Sequence, residues 1–488
     1  MSQAVARLEP RLLWKNFADL NAVPRPSKKE ERVIRFIKDF GQRLGLPVTE
    51  DQVGNVIICK PATPGMENRH TVVLQSHLDM VHQKNSDTQF DFDTQGIQMR
   101  IEGDIVRANG TTLGADNGIG VAAIMALLES TDIPHPALEA LFTIDEETGM
   151  TGALGLQGGL LHGRIMLNLD TEDDRELTIG CAGGVDVTAT LWYERQPVPA
   201  NHESMELTVR GLSGGHSGMD IHLGLGNANK LMNRLLFKAR EQFGVRLATI
   251  EGGSLRNAIP RESKVLLTVP SEQLHDFLAH INTMSDTIRA EYRTTDPNLH
   301  IALVPAELPA SEVAEPHFQD HLIAAVYACP NGIYRMSPDI PGLVQSSNNL
   351  ARITLHEGKC QVMCLTRSSV DSEKDEVARS IQGAFEHLEG EITFTGAYPG
   401  WMPNPSSLIV AAMSGLYEKM FGEKAHVNAC HAGLECGILG RNYPGMDMVS
   451  FGPNIRGAHS PDENVQISSV DKFWKFFLAT LEEIPTKD

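Results

Sequence analysis

Residues 71–79 read Thr-Val-Val-Leu-Gln-Ser-His-Leu-Asp, and this stretch decides the fold class that we expect for the chain. A short, continuous apolar run is typical of a strand that is buried on both faces of a sheet. The run ends in His77 and Asp79, whose side chains point the same way if the chain stays extended. A carboxylate at Asp79 would then hold the His77 ring in one tautomer, as carboxylates do for metal-bound histidines.

Similar apolar runs on both sides of this stretch extend the predicted sheet. They occupy residues 55–59, 138–144 and 165–169, and residues 118–129 have a helical pattern. Strands that alternate with helices predict an α/β architecture with a mostly parallel, buried sheet. Upstream, the sequence Ser-Lys-Lys-Glu at 27–30 predicts a capping box at the start of a helix.

The pattern changes near residues 183–184, where we expect a second domain to begin. Residues 187–395 form a strand-rich series with interspersed helices, which favours an α+β lid domain inserted into the first domain. The sequence Gly-Ala-Tyr-Pro-Gly at 396–400 predicts a hinge where the chain returns. The predicted catalytic domain therefore comprises residues 1–186 and 396–488.

Carboxylates and a second histidine gather where the predicted strands end. Asp116 lies in a Gly-flanked loop before a helix, where an ordinary N-cap is the alternative interpretation. Glu146 and Glu147 follow a strand that should be buried, and unpaired carboxylates would be costly there. Asp170 ends another apolar run, and His459 lies in a late loop after a strand. We expect these residues to meet at the ligand-binding edge of an open α/β sheet.

The residue types at this edge indicate a catalytic metal site. Imidazole and carboxylate ligands without cysteine suit zinc, manganese or cobalt, whereas structural zinc sites use thiolates. Two ions would lie about 3.5–4 Å apart and would need a bridging carboxylate. One glutamate must stay off the metal as general base. The doublet Glu146-Glu147 can supply a base and a ligand, because neighbours on an extended chain point in opposite directions.

The order of these motifs resembles the dinuclear zinc peptidases of the aminoacylase/carboxypeptidase family, and in particular its dipeptidase branch. The longer matching segments read RANGTTLGADNGIG at 107–120, LSGGHSG at 212–218, LRNAIPR at 255–261 and HAGLECG at 431–437. The resemblance covers nearly the whole chain, from about residue 10 onward. It implies hydrolysis of unblocked dipeptides, including Xaa-His and β-alanyl-histidine. It also implies two Zn2+ per chain, with Co2+ or Mn2+ as substitutes.

The resemblance implies a role for each residue of the metal site. One zinc would be held by His77, Asp116 and Asp170. The other would be held by Asp116, Glu147 and His459. Asp116 would bridge the two ions, Asp79 would orient His77, and Glu146 would be the general base. The peptide bond between Asp116 and Asn117 is expected to be cis.

The resemblance also implies substrate-binding residues in the lid domain. His216 would polarise the scissile carbonyl and Asn257 would contact the substrate. Arg367 would bind the C-terminal carboxylate of the dipeptide, helped by the backbone near Gly433. From the residues alone, a surface turn explains His216 and an exposed strand end explains Arg367. The lid domain, at about 210 residues, is longer than in the dimeric carboxypeptidases of the family. A homodimer through it, in which His216 serves a partner's site, stays open.

The composition limits which partner molecules and which cellular compartment we expect. The 488 residues include 42 Lys and Arg against 62 Asp and Glu, a formal charge of −20. This argues against nucleic acid or an anionic membrane as the main partner, since both attract basic patches. No apolar stretch has the length of a membrane span, and the first residues do not resemble a signal peptide. With seven scattered cysteines, these features predict a cytoplasmic protein. Small dipeptides as its substrates are what the family resemblance implies.

Two alternative functions remain open at this level. One is an amidohydrolase of N-acyl amino acids on the same fold, because the sequence does not show which group reads a free substrate amine. The other is a non-catalytic metal-binding scaffold. The presence of Glu146 beside five ligand residues argues against the scaffold, since a protein that only binds metal has no use for a general base.

Overall fold

The computed structural model describes residues 2–487, which divide into two compact units. Unit 1 comprises the residues up to Gly180, Pro403–Ala429, and the residues from Leu434 onward. Unit 2 comprises Cys181–Met402 and Cys430–Gly433. Unit 2 is therefore an insertion in the chain of unit 1.

The first part of the described chain supplies most of the helices and strands of unit 1. The helices are α1 (Ser2–Val5), α2 (Arg11–Asn21), α3 (Glu31–Arg43), α4 (Ala115–Glu129) and α5 (Thr151–Gly155). The strands are β1 (Val48–Glu50), β2 (Val56–Lys60), β3 (Val72–His77), β4 (Met99–Glu102), β5 (Ile105–Ala108), β6 (Leu138–Thr143), β7 (Ile165–Asn168) and β8 (Glu176–Cys181).

The central part of the chain forms unit 2. Its strands are β9 (Gly183–Trp192), β10 (Arg195–Pro197), β11 (His202–Arg210), β12 (Arg246–Gly253), β13 (Ser263–Pro270), β14 (His300–Pro305), β15 (Glu312–Ala314), β16 (Gly332–Met336), β17 (Val344–His356), β18 (Lys359–Ser368) and β19 (Gly390–Tyr398). Its α-helices are α6 (Ala228–Phe243), α7 (Leu274–Glu291), α8 (Pro316–Ala328) and α9 (Asp371–Phe385). Two short 3₁₀ turns occupy Ile221–Leu223 and Ser271–Gln273.

The last part of the chain completes unit 1. Its elements are α10 (Leu408–Phe421), β20 (His426–Cys430), α11 (Glu435–Asn442), β21 (Asp447–Ser450), β22 (Ile455–Arg456), β23 (Asn464–Gln466) and α12 (Ile467–Glu482). Within residues 2–487, no helix combines the length and the apolar character that crossing a bilayer requires.

The main sheet of unit 1 has parallel strands at its centre. Its strand order is β1-β2-β6-β3-β7-β21-β8-β20. The pairs β6/β3, β3/β7 and β7/β21 are parallel, while β1/β2, β2/β6 and β21/β8 are antiparallel. All residues of β3, β6 and β7 are buried. The predicted α/β fold is thus confirmed, with the parallel arrangement restricted to the centre. His77 is the last residue of β3, and Asp170 follows shortly after the end of β7.

The main sheet of unit 2 is antiparallel and is consistent with the predicted α+β lid domain. Its strand order is β14-β11-β13-β12-β17-β18-β9-β19, and β16 pairs with β17. Leu231 and Leu235 of α6, Phe277 of α7 and Phe385 of α9 are buried in one apolar cluster with residues of the strands. In this register Arg367 on β18 lies between Ser347 on β17 and Gly184 on β9. The long central strands thereby fix the position of a buried arginine.

Two local predictions are wrong because tertiary contacts take over the residues concerned. Ser27 does not cap a helix: α3 begins at Glu31 with Glu30 in the N-cap position, and the Ser27 hydroxyl donates to Asp79 at 2.8 Å. The predicted hinge at 396–400 is partly strand, since β19 continues to Tyr398. Its pairing with β9 shifts register between Thr395 and Tyr398, so the turn-forming residues make an irregularity within the strand.

We expect Leu141→Ala to destabilise unit 1. Leu141 lies on β6, is fully buried and pairs with β2 and β3. The cavity should lower the free energy of unfolding of this unit by about 2–5 kcal/mol. Urea unfolding followed by circular dichroism measures the loss. The matched control is Ile101→Ala on β4, whose side chain is exposed. Equal shifts of the two midpoints would contradict the placement of Leu141 in the core.

Candidate metal centre and substrate-recognition residues

The ring of His77 lies among three carboxylates at the end of β3. Its Nδ1 is 3.3 Å from Asp79 Oδ1, and both side chains are buried. Its Nε2 is 3.2 Å from Asp116 Oδ1 and 3.5 Å from Asp170 Oδ1. The i, i+2 geometry of the extended chain thus places Asp79 behind the ring. Nε2 is left to face two carboxylates, Asp116 at the start of α4 and Asp170 just after β7.

Asp116 lies between the two histidines. Its Oδ2 is 3.2 Å from His459 Nε2, which is also 3.0 Å from Glu147 Oε2. Hydrogen bonds to Asp116 and Glu147 raise the pKa of His459 to about 11. Burial alone would raise the pKa of Asp116, but hydrogen bonds from His459 and His77 hold it below its ordinary value. The strong proton affinity of His459 shows how negative the surroundings of this position are.

The loop that carries Asp116 has the cis peptide bond between Asp116 and Asn117 that the family resemblance implies. The Asn117 amide donates to the Leu169 carbonyl at 2.7 Å and also to Asp170. The two loops that supply Asp116 and Asp170 are therefore joined directly. This contact keeps the carboxylates on the same side of His77.

A tight turn presents the glutamate doublet to the same place. Asp145, which begins the turn with φ of 55°, forms an ion pair of 2.5 Å with Lys28. The backbone N–H groups of Glu146 and Glu147 donate to the two oxygens of Asp79 at 3.0 and 3.3 Å. Asp79 thus connects the His77 ring with the turn of the doublet. The sequence showed Asp79 as a partner of His77 and gave no sign of this second role.

The residues present fit two adjacent metal ions. Two groups of three have ligand atoms within 4.8 Å of one another, and the groups are His77 with Asp116 and Asp170, and Asp116 with Glu147 and His459. Asp116 is common to both groups, as a bridging ligand must be. Among the described residues, Glu147 Oε1 is buried without a hydrogen-bond partner, which leaves it available to a cation. Glu146 also lies within 4.8 Å of His77 and Glu147.

Glu463, which the sequence reasoning missed, holds the loop of Asp116 in place. Its buried carboxylate accepts hydrogen bonds from four successive backbone N–H groups, and these belong to Leu113, Gly114, Ala115 and Asp116 at 2.6, 2.9, 2.7 and 3.2 Å. Nothing local distinguishes Glu463 from other acids of the late loop. Its function follows only from the fold.

Two further buried titratable groups were also missed. The Arg25 guanidinium donates to the carbonyls of Leu78, Asp79 and Gly114 at 3.0, 3.0 and 2.5 Å, and burial lowers its pKa to about 10. Glu435 Oε2 accepts from Gln75 and Thr143, both at 2.6 Å, and burial raises its pKa to about 8. Glu435 lies within the quoted segment at 431–437, which was the available signal. Arg25 had none.

Unit 2 holds His216 in a defined tautomer. The ring Nδ1 accepts hydrogen bonds from the backbone N–H groups of Gly218 and Met219 at 3.2 and 3.0 Å. A neutral imidazole that accepts at Nδ1 carries its proton on Nε2. Burial, with the charge of Arg367, lowers the pKa of His216. His216 is therefore an uncharged N–H donor at neutral pH.

Arg367 is a buried cation whose hydrogen-bond partners are uncharged. Its Nε lies 3.4 Å from the Ser217 hydroxyl, and its Nη1 donates to the Tyr398 hydroxyl at 3.0 Å. Within residues 2–487 no carboxylate forms an ion pair with it, and Asp186 on the adjacent strand pairs with Arg256 at 3.2 Å instead. A buried charge without a counter-ion is costly. The arrangement therefore suits an anionic ligand.

Glycine at position 218 lets the groups around Arg367 approach one another. A Cβ at this position would lie 2.2 Å from the His431 carbonyl oxygen and 3.2 Å from both Arg367 Nε and the His216 ring. The His431 ring pairs with the Ser347 hydroxyl at 2.7 Å, and burial lowers its pKa to about 3. Gly218 therefore marks the point where the residues around Arg367 converge.

The other two predicted substrate residues lie beside this cluster. Asn257 is exposed, and its carbonyl accepts from the Ser217 backbone N–H at 2.8 Å. Gly433 follows His431 by two residues in the short segment Cys430–Gly433. His216, Asn257 and Arg367 thus belong to unit 2, as does Gly433, which the predicted boundaries had placed in the catalytic domain. Ser217, His431 and Tyr398 join them as residues that the sequence reasoning missed.

We expect Glu463→Gln to weaken metal binding although Glu463 is not a candidate ligand. A neutral amide cannot accept four N–H groups as the carboxylate does, so the loop of Asp116 should loosen. Affinity for Zn2+ should fall about 10- to 100-fold, as for other residues that support metal ligands. Competition with a fluorescent zinc chelator measures it. The matched control is Asp462→Asn, which changes the adjacent exposed acid. Equal affinity of the two variants would contradict the assigned role of Glu463.

Comparison with known proteins places these features in a family. The chain is 43% identical over 484 residues to the cytosol non-specific dipeptidase of Escherichia coli, covering 99% of each chain. The aminoacylhistidine dipeptidase of Vibrio alginolyticus has a similar crystal structure, with 45% identity, full coverage of both chains and a TM-score of 0.94. The aminopeptidase PepT of Bacillus cereus shares the fold, with 15% identity, 98% and 99% coverage and a TM-score of 0.58. Residues 73–483 match Peptidase family M20/M25/M40, and the chain belongs to this family.

Proposed function

We propose that this chain hydrolyses the peptide bond of unblocked dipeptides at a dinuclear zinc centre, with Xaa-His dipeptides and β-alanyl-histidine among its substrates. The predicted class is confirmed: the chain is a metal-dependent dipeptidase of the M20/M25/M40 family, like its two full-length relatives. The position of Asp116 between His77 and His459, with Glu146 beside them, is the observation that carries the dinuclear mechanism.

The proposal assigns five residues to the two ions, and these are His77, Asp116, Glu147, Asp170 and His459. When bound, two zinc ions polarise the scissile carbonyl and lower the pKa of an attacking water molecule. The ligand set also accepts manganese or cobalt. Asp79 fixes the tautomer of His77 so that Nε2 is free to coordinate.

Glu146 is the proposed general base. Burial raises the pKa of its carboxyl well above the ordinary value, and the charges of Asp170 and Glu147 act in the same direction. A carboxylate with such a proton affinity is suited to accept a proton from water and later to donate it to the leaving amine. The adjacent Glu147 contacts His459 and is assigned to the metal.

The residues of the lid domain are proposed to recognise the substrate. His216, as an uncharged Nε2–H donor, would stabilise the oxyanion that develops at the carbonyl. Arg367 would bind the C-terminal carboxylate, because it is a buried guanidinium with hydroxyl partners only. Asn257 and the backbone near Gly433 would contact the dipeptide from their places beside this cluster.

Location and assembly are part of the proposal. A cytosolic location is supported by the similarity to the cytosol non-specific dipeptidase of Escherichia coli. Strand β16 pairs with β17 outside the main strand order and exposes three apolar side chains, Ile333, Tyr334 and Met336. These exposed side chains support a homodimer through unit 2.

An assay of substrate classes tests the proposed function. Zinc-loaded protein should hydrolyse β-alanyl-histidine and a panel of unblocked dipeptides and should leave acetylated amino acids intact. Preferential turnover of the acetylated compounds would indicate the alternative amidohydrolase. Absence of turnover of either class with metal present would indicate a binding protein and overturn the proposal.

We expect the two members of the glutamate doublet to respond differently to the same substitution. Glu146→Gln should retain two zinc ions per chain and lose about 10²- to 10⁴-fold in kcat, because proton transfer is lost. Glu147→Gln should bind less metal, because a ligand is lost. Elemental analysis with initial rates measures both quantities, and each variant is the control for the other. The same metal content in the two variants would refute this division of roles.

We expect Arg367→Ala to impair only substrates with a free carboxylate. The variant should keep its metal and fold, and kcat/KM for dipeptides should fall about 10²-fold or more, in line with roughly 2–5 kcal/mol for truncating one partner of a buried charge pair. Amidation of the dipeptide should cost the parent enzyme a similar amount and the variant little. Arg352→Ala, on the adjacent strand with an exposed side chain, is the control. Additive losses would show that Arg367 does not read the carboxylate.

A further inference from the structure

The hydroxyl groups of Tyr398 and Ser217 contact different nitrogens of the Arg367 guanidinium. Tyr398 is the last residue of β19, and its hydroxyl lies 3.0 Å from Arg367 Nη1. The Ser217 hydroxyl lies 3.4 Å from Arg367 Nε. The guanidinium is therefore steered at two nitrogens by hydroxyl groups, and neither hydroxyl neutralises its charge.

The direction of this hydrogen bond leaves a second donor in the cluster. A guanidinium can only donate, so the phenol oxygen of Tyr398 is the acceptor. The phenol proton is then available for another partner. The hydrogen bond from Arg367 occupies the Tyr398 oxygen as acceptor and does not use the phenol proton. Burial raises the pKa of the Tyr398 phenol, so the proton is retained at neutral pH.

The backbone around Tyr398 is built to hold the ring in this position. A Cβ on the facing residue Gly184 would lie 2.7 Å from the phenol ring and oxygen, so the ring fits only against glycine. The carbonyl of Tyr398 accepts from the buried ammonium of Lys374 at 2.8 Å. Lys374 also pairs with Asp371 at 2.7 Å, and Asp371 accepts from the Gly400 backbone N–H at 3.0 Å. Tyr398 is thus anchored on both its ring and its backbone.

We propose that Tyr398 determines specificity for the C-terminal carboxylate of the dipeptide, by fixing the guanidinium of Arg367 and donating its own phenol proton to the same carboxylate. This inference rests on the proposed role of Arg367 and extends it. A carboxylate has two oxygens with several acceptor positions, so it can take a guanidinium N–H and a phenol O–H together. An amide or the next peptide unit of a longer chain offers a single weaker acceptor to both donors.

The test is Tyr398→Phe, which removes the hydroxyl and keeps the ring against Gly184. We expect kcat/KM for free dipeptides to fall on the order of 10- to 100-fold, the range for a lost hydrogen bond to a charged group. The loss should appear mainly in KM, because the carboxylate is bound equally in the ground state and the transition state. Hydrolysis of the C-terminally amidated dipeptide should hardly change. The control is Tyr443→Phe, which removes a tyrosine hydroxyl bonded to the Gln157 carbonyl at 2.6 Å.

The outcomes separate this inference from the function on which it rests. Equal losses for free and amidated dipeptides would mean that Tyr398 only supports the fold, and the inference would be overturned. If Arg367→Ala is selective for free dipeptides while Tyr398→Phe is not, the role of Arg367 stands and that of Tyr398 falls. If Tyr398→Phe does not fold, Tyr398→Met removes the hydroxyl with a more adaptable side chain. The same selectivity for the free carboxylate is then required of that variant.

Discussion

The structure depends on a concentration of negative charge at the edge of the parallel strands in unit 1. Asp79, Asp116, Glu146, Glu147 and Asp170 converge there on two imidazoles. Like charges that are buried together are costly unless protons or cations compensate for them. Hydrogen bonds to Asp116 and Glu147 raise the pKa of His459, so the same surroundings favour either a proton or a cation. Metal binding and proton release are therefore linked at this centre.

The chain holds this unfavourable arrangement with a shell of hydrogen bonds that contains no candidate ligand. Asp79 joins the His77 ring to the turn of the glutamate doublet, and Glu463 fixes the loop of Asp116. Arg25 binds the carbonyls of both segments and adds a positive charge close to the carboxylates. These contacts connect residues from the beginning, middle and end of unit 1. The position of each ligand thus depends on the complete fold of the unit.

Unit 2 buries the opposite charge, because Arg367 forms no ion pair with a carboxylate within residues 2–487. Arg367 is surrounded by hydroxyl groups, by the neutral ring of His216 and by His431, whose pKa is lowered to about 3. A preorganised positive site of this kind gains most from a ligand that brings a carboxylate, because a charge-assisted hydrogen bond replaces an unfavourable burial. A dipeptide carries such a carboxylate one residue beyond the bond that is cleaved.

The sequence by itself determined the strand runs of the main sheet and the fold class, and it predicted the residues that lie together at the candidate metal centre. It could do so because strand periodicity and strand-end motifs are local patterns. It misassigned Ser27 and residues 396–398, where a tertiary partner or a strand pairing replaced the local turn preference. Only the tertiary structure revealed Glu463, Arg25 and Tyr398. Glu463 meets Leu113 across 350 positions, and such a contact leaves no periodic trace in the chain. The physical reason is that the role of a buried polar group depends on its hydrogen-bond partner, and the fold decides which partner lies next to it.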